Sequence, residues 1–200
     1  MKDRALIIFI KNPEPGKVKT RLARSVGDER ALAIYRRLLA HTRRVALGVD
    51  AERLLYYSRF IDHKDDWAAS EFQKHRQQGS DLGVRMEQAL TTALLDHSKA
   101  VIIGSDCAEL HPELIEEAFR RLDDHDLVVG PATDGGYYLL GLTAPAPSLF
   151  RQMTWSTAEV LAETLQRAAR LNYTCFLLPE LSDIDTEADW KRIERGQGMD

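Results

Sequence analysis

Three short stretches carry residue types that could handle a phosphorylated ligand. The first is Lys11-Asn-Pro-Glu-Pro-Gly-Lys17-Val-Lys19-Thr-Arg21, directly after the apolar run Ala5–Ile10. Lys19 and Arg21 are two apart, so an extended segment would project both to one side. Arginine can grip a phosphate with two hydrogen bonds, and lysine acts as a point charge. Lys11 and Lys17 add charge to a loop stiffened by Pro13 and Pro15 and turned at Gly16. The second stretch is Gly104-Ser105-Asp106-Cys107, after the apolar run Ala100–Ile103. Asp106 offers the carboxylate oxygen that Mg²⁺ or Mn²⁺ favours, though an acid there can equally cap a turn. The third is Ser182-Asp183-Ile184-Asp185-Thr186. Its two aspartates alternate around an apolar residue, so an extended backbone would aim both carboxylates one way, as a metal site would need. Asp185 or Thr186 also reads as the N-cap of a helix, with Asp189 favouring its dipole.

Two other stretches could shape a pocket. In Thr133-Asp134-Gly135-Gly136-Tyr137 the Asp-Gly pair suits a hairpin turn, and Asp134 is a candidate general base for an acceptor hydroxyl. Gly135, Gly136, Trp155 and Ser156 would then line the acceptor side, though Trp155 is equally a packing residue. In Gly79-Ser-Asp-Leu-Gly83-Val-Arg85, a glycine in the first helical turn costs about 1 kcal/mol relative to alanine. That suggests close approach, either of a ligand or of another part of the chain. Gly83 and Arg85 are therefore candidates for the nucleotide pocket, Arg85 being otherwise a surface charge.

Other chemistries are excluded. Lys11 stands where the Walker A loop requires glycine, and Val18 where it requires Ser or Thr. No G-x-G-x-x-G and no Gly-x-Ser-x-Gly elbow occurs. Cys107 and Cys175 form no CxxC pair, which fits a reduced cytoplasmic protein. The start, Met1-Lys-Asp-Arg4, precedes an apolar run of six residues, too short for a secretory leader or a membrane span. A net charge of −4 gives no general attraction to nucleic acid, so any phosphate binding must be local.

The elements that must position these residues alternate. Strand patterns at Ala5–Ile10, Arg53–Tyr57, Phe72–Gln77, Ala100–Ile103, Asp126–Val129, Tyr137–Leu142 and Thr174–Leu178 are interleaved with helical periodicity. Helices are expected over 28–49, capped by Asp28, and after Asp81, with Leu82, Met86, Leu90 and Leu94 inward. Others are expected from Pro112, from Ser156 as a capping box to Asn172, and over 186–195. The pattern predicts one α/β domain over 1–200, a sandwich around a mostly parallel sheet of about seven strands. Ligands in such sheets bind beyond the carboxyl ends of the strands, which is where the first three stretches fall.

Taken in order, KNPEPGKVKTRLA, GSDLGVRM, IIGSDCAEL, GPATDGGYYLLGL, WST and DIDTEADW resemble the glycosyltransferase-A-like proteins related to glycosyltransferases assigned to arsenosugar biosynthesis, within the nucleotide-diphospho-sugar transferase superfamily. The resemblance implies a Rossmann-like three-layer fold of GT-A type binding a nucleotide diphosphate with Mg²⁺ or Mn²⁺. Asp106 matches the metal-binding acid after the central strand. Asp183, Asp185 and Asp189 match the terminal DIDT-x-x-D segment, which makes Asp185 the better candidate for a second metal contact. The chain departs from the pattern in carrying no D-x-D after the central strand, and in having Ala108 where members commonly have proline. The K-x-R-L element also resembles 2-phospho-L-lactate guanylyltransferase, whose loop holds a triphosphate. The expected activity is sugar transfer from a nucleotide-sugar to a small-molecule acceptor. Nucleotidyl transfer from a nucleoside triphosphate is the alternative, and a non-catalytic nucleotide-binding module a third.

Overall fold

The computed structural model describes residues 3–196, so Met1 and Lys2 of the charged start lie outside the described residues. Seven strands form one sheet: β1 Arg4–Ile10, β2 Glu52–Tyr57, β3 Gln73–Arg76, β4 Lys99–Ile103, β5 Leu127–Pro131, β6 Tyr137–Leu142 and β7 Cys175–Leu177. Their order is β3-β2-β1-β4-β6-β5-β7. All neighbours are parallel except β6, which runs antiparallel to both β4 and β5. The chain adds β2 and β3 on one side of β1, then returns to place β4 on the other. The topological switch therefore lies between β1 and β4, where a crevice opens beyond the strand ends.

Among the described residues there are six α-helices: α1 Thr20–Val26, α2 Asp28–Leu47, α3 Leu82–Ala93, α4 Pro112–Arg121, α5 Val160–Arg170 and α6 Glu187–Gly196. Leu32, Tyr35 and Leu39 of α2 pack with Ile115 and Phe119 of α4 against one face of the sheet. Met86, Ala89 and Leu90 of α3 pack with Ala168 of α5 against the other. Residues 5–8 and 100–103 are buried on both faces, as their continuous apolar runs predict for central strands.

A third, smaller core binds α1, α2 and α6 together. It joins Leu22, Ala31, Ile34 and Leu38 to Trp190 and Ile193, and includes Ala108 and Ile184. Here the structure departs from the sequence reading. Lys19 and Arg21 do not lie in an extended loop, because Thr20 already begins α1. Leu22, fully buried, rewards that turn of helix with apolar contact. Asp28 is not the cap of α2: Gly27, at φ 81°, ends α1 and starts α2, and Asp28 sits in the first turn. Ser156 does not cap α5 either. It adopts φ 65°, and the helix begins at Val160, with no side-chain cap. Leu82 is exposed and Leu94 half-buried, so the inner face of α3 is narrower than four leucine-spaced positions suggest.

One buried hydroxyl joins the switch-point loops. Tyr35 Oη accepts from Lys11 N at 2.9 Å and lies 3.0 Å from Lys11 O and 3.2 Å from Ser105 Oγ. It thus links the chain leaving β1 to the chain leaving β4, and burial, then the nearby Asp106 carboxylate, push its pKa far up. Replacing Tyr35 by phenylalanine keeps the ring and strands these partners. It is expected to cost about 1–3 kcal/mol in urea unfolding.

Candidate active site

Asp106 follows β4 and Lys19 precedes α1, and the two meet directly. Lys19 Nζ lies 2.8 Å from Asp106 Oδ1 and donates to Ile184 O at 2.7 Å, with Asp185 Oδ1 at 3.8 Å. The Lys19 side chain is only 4% exposed. Its backbone takes φ 47°, ψ 44°, a left-handed conformation that costs a non-glycine residue about 1–2 kcal/mol. That conformation turns the chain into α1 at Lys19, and Leu22 anchors it.

The third stretch is held as tightly. Ile184 is fully buried in the third core, so its flanking aspartates, Asp183 and Asp185, are fixed by one apolar residue. Its backbone N–H donates to Asp106 O at 2.9 Å, and Cys107 and Asp183 form an antiparallel bridge. Leu181 bridges Ala132, and Thr133 N donates to Leu181 O. Ser182 N donates to Glu109 Oε2, and Thr133 Oγ1 to Ser182 Oγ. Residues 181–184 are thereby stitched across the carboxyl ends of β4 and β5. Thr186 and Asp189 then cap α6 reciprocally: Asp189 Oδ2 accepts from Thr186 N at 2.8 Å, and Asp189 N donates to Thr186 Oγ1.

Arg21 is exposed and reaches Asp185 Oδ2 at 3.2 Å. The sequence reading placed Lys19 and Arg21 on one side through extended alternation. They do converge on Asp185, but by a helix turn. An exposed pair of this kind contributes about 0–1 kcal/mol, so Arg21 is little constrained. Lys11 and Lys17 are exposed, with no carboxylate partner among the described residues.

Asp134 occupies the hairpin between β5 and β6, where its Oδ1 accepts from Gly136 N at 2.9 Å. The turn reading holds, and the carboxylate still acts on Asp183 electrostatically. Gly83 and Gly135 are covered by the chain itself. A Cβ on Gly83 would fall 2.3 Å from Trp155 Nε1, and one on Gly135 2.1 Å from the Ala158 carbonyl oxygen. Trp155 is half-buried on Gly83 and stacks on Phe150, and Ser156 is exposed beside it. Arg85 is held by Gly79 O at 3.1 Å and lines a cavity with Tyr56 and His75, whose walls include neither Lys19 nor Asp106. The structure thus brings together Lys19, Arg21, Asp106 and Asp185, with Asp134 near enough to act on Asp183, and places Arg85 in a separate cavity.

Sequence reasoning missed two supports. Tyr35 is hidden in the apolar stripe of α2. Asn12 is buried, donating from Nδ2 to Phe60 O and accepting from Arg59 N at 3.0 Å, which ties the loop after β1 to the loop after β2. An asparagine two residues beyond a buried strand was the available signal.

The acids crowd one another. Burial first, and the Asp106 carboxylate next, push Asp183 up to about 7. Lys19 opposes the rise, and Asp134 and Asp185 add to it. Between about pH 4 and pH 7 the folded protein therefore holds a proton that the unfolded chain releases, so stability falls as pH rises through that window and levels off above it. Asp183→Asn should flatten this slope. At pH 8 it should stabilise the protein by on the order of 2–4 kcal/mol relative to the parent, with little gain at pH 4, measured by urea unfolding at both pH values.

Comparison with known proteins agrees with this architecture. Residues 40–157 match the family model described as uncharacterised proteins conserved in bacteria, DUF2064. Among curated proteins, none matches the sequence. The fold is similar to that of a candidate nucleotide-diphospho-sugar transferase from Desulfovibrio desulfuricans G20, with 31% identity and a TM-score of 0.91 over 98% of this chain and 88% of that one. It is more distantly similar to the inositol-1-phosphate CTP transferase from T. maritima, at 15% identity and TM-score 0.61 over 100% and 97% of the chains. Rv0371c from Mycobacterium tuberculosis H37Rv, in complex with manganese, aligns at 11% identity and TM-score 0.55 over 96% and 97%. These last two share the fold. The seven-stranded mixed sheet, its crevice at the β1/β4 switch and these matches place the chain in the DUF2064 family, with the build of a nucleotide-diphospho-sugar transferase.

Proposed function

We propose that this protein is a metal-dependent transferase that moves a sugar from a nucleotide-activated donor to a small acceptor. The observation that carries the reading is the meeting of Lys19 and Asp106 at 2.8 Å across the β1/β4 switch point. A cation and a carboxylate at that place suit a phosphate group and the divalent ion that accompanies it. The similarity to the Desulfovibrio protein favours a nucleotide-sugar as donor.

The donor set fits Mg²⁺ or Mn²⁺: Asp106 and Asp185 carboxylates and the Ile184 carbonyl are all hard oxygen ligands. Among the described residues, no three His, Cys, Asp or Glu side chains form a metal-holding group. Asp106, with Asp185, would therefore hold the ion together with phosphate oxygens, the usual arrangement for Mg²⁺. Manganese in Rv0371c belongs to a distant relative of the same fold, which is compatible with this assignment. When bound, the ion supplies positive charge against the departing phosphate. Lys19 and Arg21 add to that charge. Lys11 and Lys17 face solvent in the same loop and raise the local positive potential for an approaching anion.

In the transfer, the acceptor oxygen bonds to the anomeric carbon while the bond from that carbon to the phosphate oxygen breaks, releasing a nucleoside diphosphate. Asp134 takes the acceptor's proton through the carboxylate oxygen that Gly136 does not occupy. Gly136, Trp155 and Ser156 form the acceptor side, with Gly83 and Gly135 giving Trp155 and the 156–158 segment room to pack.

The unpaired Lys11 and Lys17 favour a second reading, because that much free charge suits a triphosphate. A nucleotidyltransferase would bind a nucleoside triphosphate and release pyrophosphate. Thermal shifts against nucleoside diphosphates, triphosphates and nucleotide-sugars, with and without Mn²⁺, separate the two. Ligand at about 100 times its Kd adds about 2.7 kcal/mol, so a true ligand is visible. Sugar transfer requires stabilisation by a nucleotide-sugar plus Mn²⁺, with release of nucleoside diphosphate. Preference for a triphosphate with release of pyrophosphate selects the second reading, and binding without turnover in either assay leaves a nucleotide-binding module. Asp106→Asn should lose the Mn²⁺-dependent part of the shift, and silence toward every nucleotide sinks all three readings.

A further inference from the structure

We infer that Lys19 is the built-in cation of this site: its ammonium occupies the oxygen set a divalent ion would use, and the ion enters only when a nucleotide's phosphates draw Lys19 away. The inference rests on the metal and nucleotide assignment above.

Lys19 Nζ lies 2.8 Å from Asp106 Oδ1, 2.7 Å from Ile184 O and 3.8 Å from Asp185 Oδ1. Two carboxylates and one carbonyl are also the hard donors that Mg²⁺ or Mn²⁺ accepts. An ammonium and a divalent ion on one carboxylate oxygen would repel strongly at such range, so the two occupants exclude each other. Lys19 cannot simply withdraw. Its side chain is 4% exposed, and a buried ammonium that loses its carboxylate without finding another anion is costly. A phosphate arriving in the crevice supplies that anion. The lysine stem has four rotatable carbons, so the head can move from carboxylate to phosphate while the backbone stays.

The backbone is held for this purpose. Lys19 keeps a left-handed conformation, with α1 starting at Thr20 and Leu22 anchored among Ile184 and Trp190. Strain of this kind persists where the surrounding structure over-determines it. The same core fixes Ile184, whose carbonyl Lys19 uses, so the lysine and its oxygens are positioned by one packing unit. In the resting protein one fixed positive charge faces Asp106 and Asp185, with Asp134 and Asp183 close enough to interact. Metal binding in this arrangement is coupled to nucleotide: the two enter together, and the ion alone is refused.

The test measures Mn²⁺ affinity by equilibrium dialysis, with melting temperature as a second readout. The unsubstituted protein alone should bind Mn²⁺ at least about tenfold more weakly than it does with a nucleoside diphosphate present, and Mn²⁺ alone should barely move its melting temperature. Lys19→Met keeps the unbranched stem, one atom shorter, and removes its charge. This variant alone should bind Mn²⁺ at least about tenfold more tightly than the unsubstituted protein alone, and Mn²⁺ should raise its melting temperature. Equal Mn²⁺ affinity in the two proteins without nucleotide overturns the inference. So does tight binding of Mn²⁺ by the unsubstituted protein without nucleotide, a result that needs no variant and decides the matter even if Lys19→Met fails to fold. If the unsubstituted protein responds to no combination of nucleotide and Mn²⁺, the proposed function itself falls. If it responds, but Lys19→Met gains no affinity for Mn²⁺, only the role of Lys19 falls.

Discussion

The buried Lys19 ammonium is the constraint around which the carboxyl edge of this sheet is organised. Taking a lysine head out of water costs several kcal/mol unless oxygens replace its hydration. Here the oxygens come from two segments far apart in sequence, Asp106 after β4 and Ile184–Asp185 before α6. Neither could stand alone. The 181–185 strap lies over the strand ends because it pairs with Cys107 and Ala132 and because Ile184 fills the third core. Lys19 then closes the arrangement from the third side. The fold therefore positions charge by packing apolar residues beside it: Leu22 beside Lys19 and Arg21, Ile184 between Asp183 and Asp185.

Topology explains why these segments can meet. In a parallel sheet, loops from adjacent strands run to opposite sides of the switch point and leave a crevice between them. β1 and β4 are such neighbours, paired from Arg4–Lys99 to Ile8–Ile103. The antiparallel β6 is inserted between β4 and β5, so the hairpin carrying Asp134 returns its chain to the middle of the sheet. This keeps Asp134 close enough to Asp183 to act on it, although β5 is two places from β4. Tyr35, from the middle of α2, clamps the first and fourth loops beneath the site.

Much of this was legible in the residues. The strand and helix alternation fixed the layers, because central strands read as continuous apolar runs and helices as amphipathic stripes. The three charged stretches fell beyond strand ends, as the sheet geometry requires. What was not legible was conformation set by tertiary contact. TRLARSV is a weak helix by its own composition, with Ser and Val at its end, and forms α1 because Leu22 is buried against α2 and α6. Ser156 has capping-box spacing, yet its backbone adopts φ 65° while the preceding Trp155 packs on Gly83. Gly27 rather than Asp28 joins α1 to α2, since only a residue at ease with φ 81° can end one helix and begin the next there. Asp183 read as the lesser of the two aspartates in its stretch. Its burial beside Asp106 could not be read from alternation alone.

The charge count inverts the simplest view of the opening loop. A basic loop after β1 invites the reading of an anion cradle, open to phosphate by itself. In the folded protein Lys19 faces Asp106 and Asp185, Arg21 faces Asp185, and Asp134 and Asp183 lie within electrostatic reach. Asp106, Asp134 and Asp185, with Asp183 only partly charged near neutral pH, set against two bases make a poor receptor for a bare polyanion. They make a good one for a polyanion that brings a divalent cation, since the ion answers the carboxylates and releases the bases to the phosphates. The exposed Lys11 and Lys17 then act at longer range, drawing the complex toward a crevice whose floor would repel the anion alone. On this argument the acids do not oppose the basic loop. On the function proposed above, they make its affinity conditional on a metal, and the two sets of charges together suit a nucleotide phosphate with its cation.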